Sequence, residues 1–592
     1  MLRCGLRTRR LIVADRTGLL HNGPSLQVRR QLGIPRPPWC AGRTPRWNSD
    51  PQYLQLSRFS HSSSLPSAGD TIYALSTAQG RAGIAVIRIS GPSCREVYSA
   101  LCPGRAFPKP RLAAVRSLYD PSASTPGHVT GLLDAQALVL SFPGPNSVTG
   151  EDVLELHVHG GSATVKAVLA AIPRSSSRAH RIRYAEPGEF TKRAFIHDRL
   201  DLAQVESLGD TLAAETEQQR RAAVRGNSGA LGRTYEDWRE KLLLARGEIE
   251  ALIDFSEDQH FDDSQSELLS NVTSQVADIL RGIELHEQGS QRSELLRSGI
   301  RIALVGPPNV GKSSLMNLIV GREASIVSGE AGTTRDIVEA SLDIRGYLCS
   351  FADTAGFRSR ESTSHHEGLS SGLIGAVEVE GIRRAKQKAL DSDIVVVFAS
   401  IEKGPAGNFL FYDEETLDLA ANAKSSIIVI NKIDGVDESW KTELINEFRQ
   451  VLAAKSTKLS ETKILAISCR DAQSAAITSN NDPGGVHSVT NALVSVFSQM
   501  TEMPVDLQDL LGVTERQRQL LAECRRHLES FAEEAQAHRD DDAGVDVGTD
   551  VVLAAEYLRY AADSLARITG RGEAGDVEDV LGVVFEKFCV GK

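Results

Sequence analysis

Several things are scarce or missing in this sequence, and each absence narrows its class. No apolar run approaches the roughly 18 residues that a membrane-spanning helix requires, which predicts no integral membrane segment. The eight cysteines (Cys4, Cys40, Cys94, Cys102, Cys349, Cys469, Cys524 and Cys589) stand far apart, with no CxxC pair and no Cys/His zinc spacing. That scatter excludes a dense disulfide framework and predicts reduced thiols in an intracellular compartment. No internal repeat is visible, and no dinucleotide-binding fingerprint is read, so a redox cofactor is not expected on this chain. Positive charge is also short: the formal net charge is −11, which at face value argues against a nucleic-acid partner.

That average hides an uneven distribution. Residues 1–60 hold eleven arginines, no lysine and only two acids, Asp15 and Asp50, so they carry +9 and the remainder carries −20. An Arg-rich, Ser-containing, acid-poor leader predicts a mitochondrial transit peptide over residues 1–68. The alternative is a basic arm that binds nucleic acid.

The 592 residues suggest three or four domains at roughly 150 residues each. From about Asp70, the runs IAVIRIS (Ile84–Ser90), ALVLSF (Ala137–Phe142) and VLELHVHG (Val153–Gly160) are separated by turn residues and predict an α+β domain over 69–190. Residues 191–298 read as helical, with Trp238, Leu242, Ala245, Ile249, Leu252 and Ile253 forming one apolar stripe. From 299 to 500, the buried-type runs IRIALVG, DIVVVFA, SIIVINK and ILAIS alternate with helices, the pattern of a mostly parallel sheet. Residues 501–592 return to helix, with a stripe of Leu520, Leu521, Cys524, Leu528 and Phe531. Two helical stretches flanking one α/β module predict that the module is inserted into a discontinuous helical domain. Segments 359–375 and 471–488 read as loops.

The inserted module carries a nucleotide site. Gly306–Ser314 spells GPPNVGKSS, which is G-x4-G-K-S between a strand and an apolar helix. Gly306 and Gly311 permit a loop in which the N–H groups of Asn309, Val310, Gly311, Lys312, Ser313 and Ser314 form an anion nest at a helix N-terminus. Lys312 would sit between the β- and γ-phosphates, and Ser313 would complete a Mg2+ shell. Asp353-Thr354-Ala355-Gly356 ends a strand beginning near Leu342, placing a carboxylate for Mg2+ and an N–H to sense the γ-phosphate. In Asn431-Lys432-Ile433-Asp434, the Asp434 carboxylate can accept both guanine N–H groups. Adenine would leave it unpaired, a strong basis for discrimination. Ser468-Cys469 falls where a backbone amide would meet guanine O6, and Thr334 can close over Mg2+. These motifs in this order predict a GTPase. The glutamine that orients water in many GTPases is replaced by Phe357, so that role falls to another residue. Glu361, Glu367, Glu378 and Glu380 are the candidates.

These motifs, with GDTIYALSTAQGRAGIAVIRISG, FPGPNSVTGEDVLELHVHGG, EPGEFTKRAFIHDRLDLAQVE and ITGRGEAGDVEDVLGVVFEKFCVGK, resemble the MnmE/TrmE family of tRNA-modification GTPases from about Asp70 to Lys592. The resemblance implies a multidomain α/β and α+β chain: a folate-binding and dimerising N-terminal domain, a discontinuous helical domain, and an inserted Ras-like P-loop G domain. It implies a potassium-activated GTPase, with Asn309, Ser328, Glu330 and Thr333 as K+ ligands. In Val377–Ile382 it selects Glu378 as the residue that orients the catalytic water. The stretch Ser359–Ala376 is longer than the family pattern. Arg88, Glu155, Arg199 and Lys592 match the family's contacts to 5-formyl-tetrahydrofolate, where cations suit the glutamate tail and a carboxylate suits the pterin. Position 199 is lysine in the family pattern.

Two further features carry less. Cys589 stands near Lys587 and Lys592 and could be a nucleophile, but a buried, silent thiol is the simpler reading. His157 and His159 alternate on a strand without further ligands, a weak metal pattern. The resulting expectation is a homodimeric mitochondrial matrix enzyme that modifies C5 of the tRNA wobble uridine. It would act with a tetrahydrofolate one-carbon donor and an MnmG/GidA-type FAD protein. The alternative is an Era-like switch in mitochondrial ribosome assembly, which would need a basic RNA-binding appendix after the G domain.

Overall fold

The computed structural model describes residues 69–123, 131–175, 181–255, 265–327, 341–352, 386–404, 407–474, 482, 484–540, 551–571 and 591. The chain divides into two units, Met1–Ser67 and Ala68–Lys592. Every described element belongs to the second, and the leader lies outside the described residues.

Strands β1 (Thr71–Leu75), β2 (Ile84–Ser90), β3 (Ala114–Tyr119), β4 (Leu132–Phe142), β5 (Val153–His159) and β6 (Ile182–Tyr184) form one sheet in the order β3-β4-β5-β2-β1-β6. Only β1 and β6 pair in parallel. Alternation on β5 buries Leu154, Leu156 and Val158 and leaves Glu155 and His157 half-buried on the other face. Helices Cys94–Leu101 and Ser162–Ala171 cover the apolar face through Val97, Tyr98, Leu101, Val165 and Val168. Each such side chain contributes about 1.5–3 kcal/mol by leaving water.

Helices Leu202–Ala213 and Glu217–Gly226 both open with capping boxes, Asp201 with Gln204 and Thr216 with Gln219. Helices Ala230–Phe255 and Gln265–Ser298 precede the inserted module; Glu515–Asp540 and Val551–Thr569 follow it. The first packs on the last, and Gln265–Ser298 packs on Glu515–Asp540, so one bundle is assembled from two separated stretches. Its core joins Leu242, Ala245 and Ile249 to Leu521, Cys524, Leu528, Phe531, Leu558 and Leu565. Glu206 stitches the halves polarly, accepting from Thr514 at 3.1 Å, Arg516 at 2.6 Å and Gln517 at 2.8 Å.

In the inserted module, β7 (Ile300–Val305), β8 (Ala324–Ile326), β9 (Ser341–Ile344), β10 (Tyr347–Ala352), β11 (Ile394–Gly404), β12 (Gly407–Phe411), β13 (Ser425–Asn431) and β14 (Ile464–Ala466) form a second sheet. Its order is β14-β13-β11-β7-β10-β9-β8, with β12 on β11. The central pairs β13–β14, β11–β13, β7–β11 and β7–β10 are parallel.

Two local expectations need correction. The strand expected to run from Leu342 into Asp353 is instead a hairpin of β9 and β10. Arg345 and Gly346 both take positive φ (+51° and +92°), as a two-residue turn matched to strand twist requires. Segment 471–488 is not all loop, because helix Cys469–Ser474 occupies its start and helix Val486–Thr501 its end. Segment 359–375 lies outside the described residues.

Candidate functional site

The loop after β7 is shaped by close backbone approach. Gly306 has φ +143°, and a Cβ there would lie 2.5 Å from the Phe398 carbonyl oxygen. Gly311 has φ +105°, and its Cβ would fall 2.0 Å from Asn431 Nδ2. No other residue fits either position. Exposed Asn309 is itself left-handed, at φ +63°, a conformation asparagine tolerates better than most. Helix Lys312–Arg322 starts immediately afterwards, so its first-turn N–H groups face the loop. Lys312 Nζ donates to the carbonyls of Gly306 and Pro307, each at 2.8 Å, arching over the place a phosphate would take. Ser313 is exposed on the first helical turn, where its hydroxyl can reach a divalent cation, and Ser314 is half-buried beside it.

The ends of β13 and β14 close the other side. Asn431 is 3% exposed; its Nδ2 donates to the Val310 carbonyl at 2.8 Å and its Oδ1 accepts from the Cys469 N–H at 3.1 Å. It therefore straps the phosphate loop to the turn after β14. Asp434 Oδ1 accepts from the buried Ser468 hydroxyl at 3.0 Å, and Arg470 lies 3.8 Å from the other oxygen. The Ser468 oxygen also accepts from the Asp471 N–H at 3.1 Å, which holds it in place. Lys432, left-handed at φ +66°, pairs with Glu402. Although burial opposes it, hydrogen bonds from Lys432 and Ser400 hold the Glu402 carboxyl below its usual range. Burial raises the Cys469 thiol to about 11, so it is no nucleophile at neutral pH.

Gly306, Asn309, Val310, Gly311, Lys312, Asn431, Asp434 and Ser468 thus gather at one end of the sheet. Ser328, Glu330, Thr333, Thr334, Asp353, Thr354, Ala355, Gly356 and Glu378 lie outside the described residues, as do Phe357, Glu361, Glu367, Glu380, Cys589 and Lys592. Sequence reading missed Glu402. It lies on β11 beyond the apolar run, and no spacing relates it to Lys432.

A second group lies on the polar face of the first sheet. Arg88 and Glu155 are register partners on β2 and β5, joined at 2.9 and 3.0 Å. Arg88 also lies over the Phe190 ring, 5.9 Å from its centroid, and His157 Nε2 is 3.4 Å from the second Glu155 oxygen. Arg199 stands apart from the pair's hydrogen bonds, with Nε donating to the Ser147 carbonyl at 3.2 Å. Gly591 reaches this domain from the far end of the chain. Its carbonyl accepts from Ser76 Oγ at 2.9 Å, and a Cβ there would lie 2.1 Å from the Leu75 oxygen. Its neighbour in space, the end of β1, is in register with the Arg88 row of β2. Buried Arg193, also missed, binds Glu151 and Glu189 and ties the domain's end to the loop before β5. His159 is held by Asp134 at 3.0 Å, and no metal-type cluster occurs among the described residues.

Comparison with known proteins gives the chain its family. A family profile described as "GTP-binding protein TrmE N-terminus" matches residues 71–199, and one described as "MnmE helical domain" matches residues 202–589. The chain belongs to the MnmE/TrmE family. A tRNA modification GTPase MnmE from Parvibaculum lavamentivorans is 38% identical over 523 residues, 88% of this chain and 100% of that protein. A mitochondrial 5-taurinomethyluridine tRNA synthase subunit from Danio rerio is 36% identical over 529 residues, covering 88% and 93%. A mitochondrial tRNA modification GTPase from Saccharomyces cerevisiae is 35% identical over 537 residues, again 88% and 93%.

As an MnmE-type protein the chain is a GTPase of tRNA modification, and GTP binding goes with the family. Relatives are both bacterial and mitochondrial. Among the described residues, no helix is long and apolar enough to cross a membrane. One sequence expectation changes here. Gly570–Gly575 does spell GxGxxG, but it follows helix Val551–Thr569 rather than a strand, so it lacks the context of a dinucleotide turn.

Proposed function

We propose that this MnmE-type GTPase works in mitochondria on C5 of the tRNA wobble uridine, helping to install a carboxymethylaminomethyl or taurinomethyl group. The observation that carries this reading is the match to a mitochondrial 5-taurinomethyluridine tRNA synthase subunit over 93% of that protein. The Arg-rich leader supports the compartment. Since that relative is named a subunit, a partner fits, and an MnmG/GidA-type FAD protein would hold the redox cofactor. The chain would pair with a second copy through its N-terminal domain.

At the nucleotide end, Lys312 would leave the Gly306 and Pro307 carbonyls for the β- and γ-phosphates, while Asp434, oriented by Ser468, reads guanine. The glycine-dependent loop fits a phosphate chain because Gly306 and Gly311 let its backbone pack against Phe398 and Asn431 with its N–H groups turned to a helix N-terminus. Ser313, with Thr334, would hold Mg2+, and Asp353 would support that ion through water. Asn309, with Ser328, Glu330 and Thr333, would hold K+, whose charge substitutes for an arginine finger. Glu378 would orient the attacking water. On the N-terminal sheet, the half-buried Arg88–Glu155 pair offers a cation and a carboxylate side by side, a donor set that fits 5-formyl-tetrahydrofolate. Arg199 and Lys592 would complete that site, and bound folate would supply the one-carbon unit.

Loss of the gene should remove the C5 modification from mitochondrial wobble nucleosides, read by mass analysis. Unchanged nucleosides alongside a ribosome-assembly defect would instead support the Era-like reading. The described residues after 501 form helices packed into the bundle, which supports the first reading.

A further inference from the structure

The chain carries a large negative charge, yet one surface of the N-terminal domain is positive and unneutralised. Between Arg95 and Tyr119 lie five cations (Arg95, Arg105, Lys109, Arg111 and Arg116) and one acid, Glu96. Some exposed cations elsewhere are matched locally, Arg220 and Arg221 with Glu217, Lys241 with Asp237, and Arg246 with Glu250, whereas Arg81 and Lys166 stand singly among the described residues. None of these five forms an ion pair among the described residues. Arg95 stacks 4.4 Å over the Phe107 ring, and Arg116 Nε donates to the Tyr98 hydroxyl at 2.7 Å. Arg111 donates to the Asn146 carbonyl. Arg105 and Lys109 are exposed.

The loop that carries these cations is held in shape. Tyr98 donates to the Ala106 carbonyl at 2.7 Å, and its ring meets Phe107 edge-on at 5.1 Å, so Arg95, Arg105 and Arg116 share one surface. Arg111 N–H donates to the Ser141 carbonyl at 2.8 Å, which pins the second half of the loop to β4. Pro103, Pro108 and Pro110 restrict the backbone between these anchors. The loop runs into β3, the edge strand of its sheet. Arginines held by stacking and by neutral acceptors, as Arg116 is by Tyr98, Val115 and Ala106, keep their charge and lose no carboxylate partner on binding.

We propose that this surface, Arg95 to Arg116, is where the chain grips the phosphodiester backbone of tRNA. The proposal rests on the tRNA-modification reading above and adds the contact surface to it. Local cations reconcile a strongly acidic chain with an RNA substrate, because phosphate contacts act within about a Debye length. Such contacts position the RNA without reading its bases, leaving choice of the uridine to another surface.

The test uses the full-length protein with Arg105→Glu and Lys109→Glu together, and tRNA binding followed by fluorescence anisotropy from about 50 to 200 mM salt. The double variant should bind about tenfold more weakly near physiological salt, and its log K against log salt slope should fall by about two. Arg105→Gln with Lys109→Gln should fall in between. GTP turnover should be unchanged, which certifies the fold. Equal tRNA binding by wild type and variant would overturn this surface and leave the modification reading standing. So would loss of an acidic protein partner with tRNA binding intact. Failure of the wild type, with its flavoprotein partner present, to bind tRNA at any salt would overturn both.

Discussion

The loop end of the β7–β13–β14 sheet and the polar face of β2 and β5 are built in opposite ways. The first is made mostly of backbone, and its side chains serve to brace it. Gly306 and Gly311 leave no room for a Cβ, and the single side chain of Asn431 joins the Val310 carbonyl, 121 residues away, to the Cys469 N–H, 38 residues away. The second is made of side chains on a rigid sheet, where Arg88 meets Glu155 only because β2 and β5 pair in that register. A backbone site tolerates almost no substitution in its loop. A register site tolerates change in any one member at little cost to the fold.

Replacing Lys312 by alanine should break the first region most severely. GTP affinity should drop about 100-fold, since a charge-assisted contact to phosphate is lost. Tetrahydrofolate binding, measured by calorimetry on the same preparation, should be unchanged; joint loss would mean the two regions are not independent. Exchanging potassium for sodium should slow GTP hydrolysis by about tenfold or more, given what transition-state charge neutralisation contributes. Folate binding should be equal in the two salts, and equal hydrolysis rates would remove Asn309 from the ion site.

Asn431→Ala tests the brace. It leaves the Val310 carbonyl and the Cys469 N–H without partners, which should cost about 1–3 kcal/mol of stability in denaturant unfolding and loosen GDP binding as well. Glu155→Gln should be the mildest for the fold. The Arg88 pair is only partly buried, so stability should change by less than about 1 kcal/mol, while tetrahydrofolate affinity falls measurably. A stability loss as large as that of Asn431→Ala would show that the ion pair serves the sheet rather than a ligand.

Legibility in the sequence follows the same division. The phosphate loop was readable because its glycines and lysine are contiguous, and strand–loop–helix context is local. The stripes of Leu242, Ala245 and Ile249 and of Leu520 to Phe531 were readable because helical spacing is local too, and both stripes are buried in one core. The hairpin at Arg345-Gly346 was missed because two apolar runs flanking a short turn look like one strand. Glu402 and Arg193 were missed because their partners are set by tertiary neighbours and not by spacing.

By itself, the sequence determined the order of elements, the insertion of one module into a helical frame, the glycine-lysine loop after β7 and the place of Asp434 after β13. Each of these depends on residues within a few turns or strands of one another. Tertiary structure alone decided that Asn431 ties the phosphate loop to the turn after β14, that Glu206 stitches the bundle across the insertion, and that Gly591 returns to the end of β1. It also decided that the cations from Arg95 to Arg116 stack on Phe107 or donate to neutral acceptors, with no carboxylate partner among the described residues. Contacts of that kind are made after the chain has folded back on itself, so they depend on packing and register rather than on any string of neighbours.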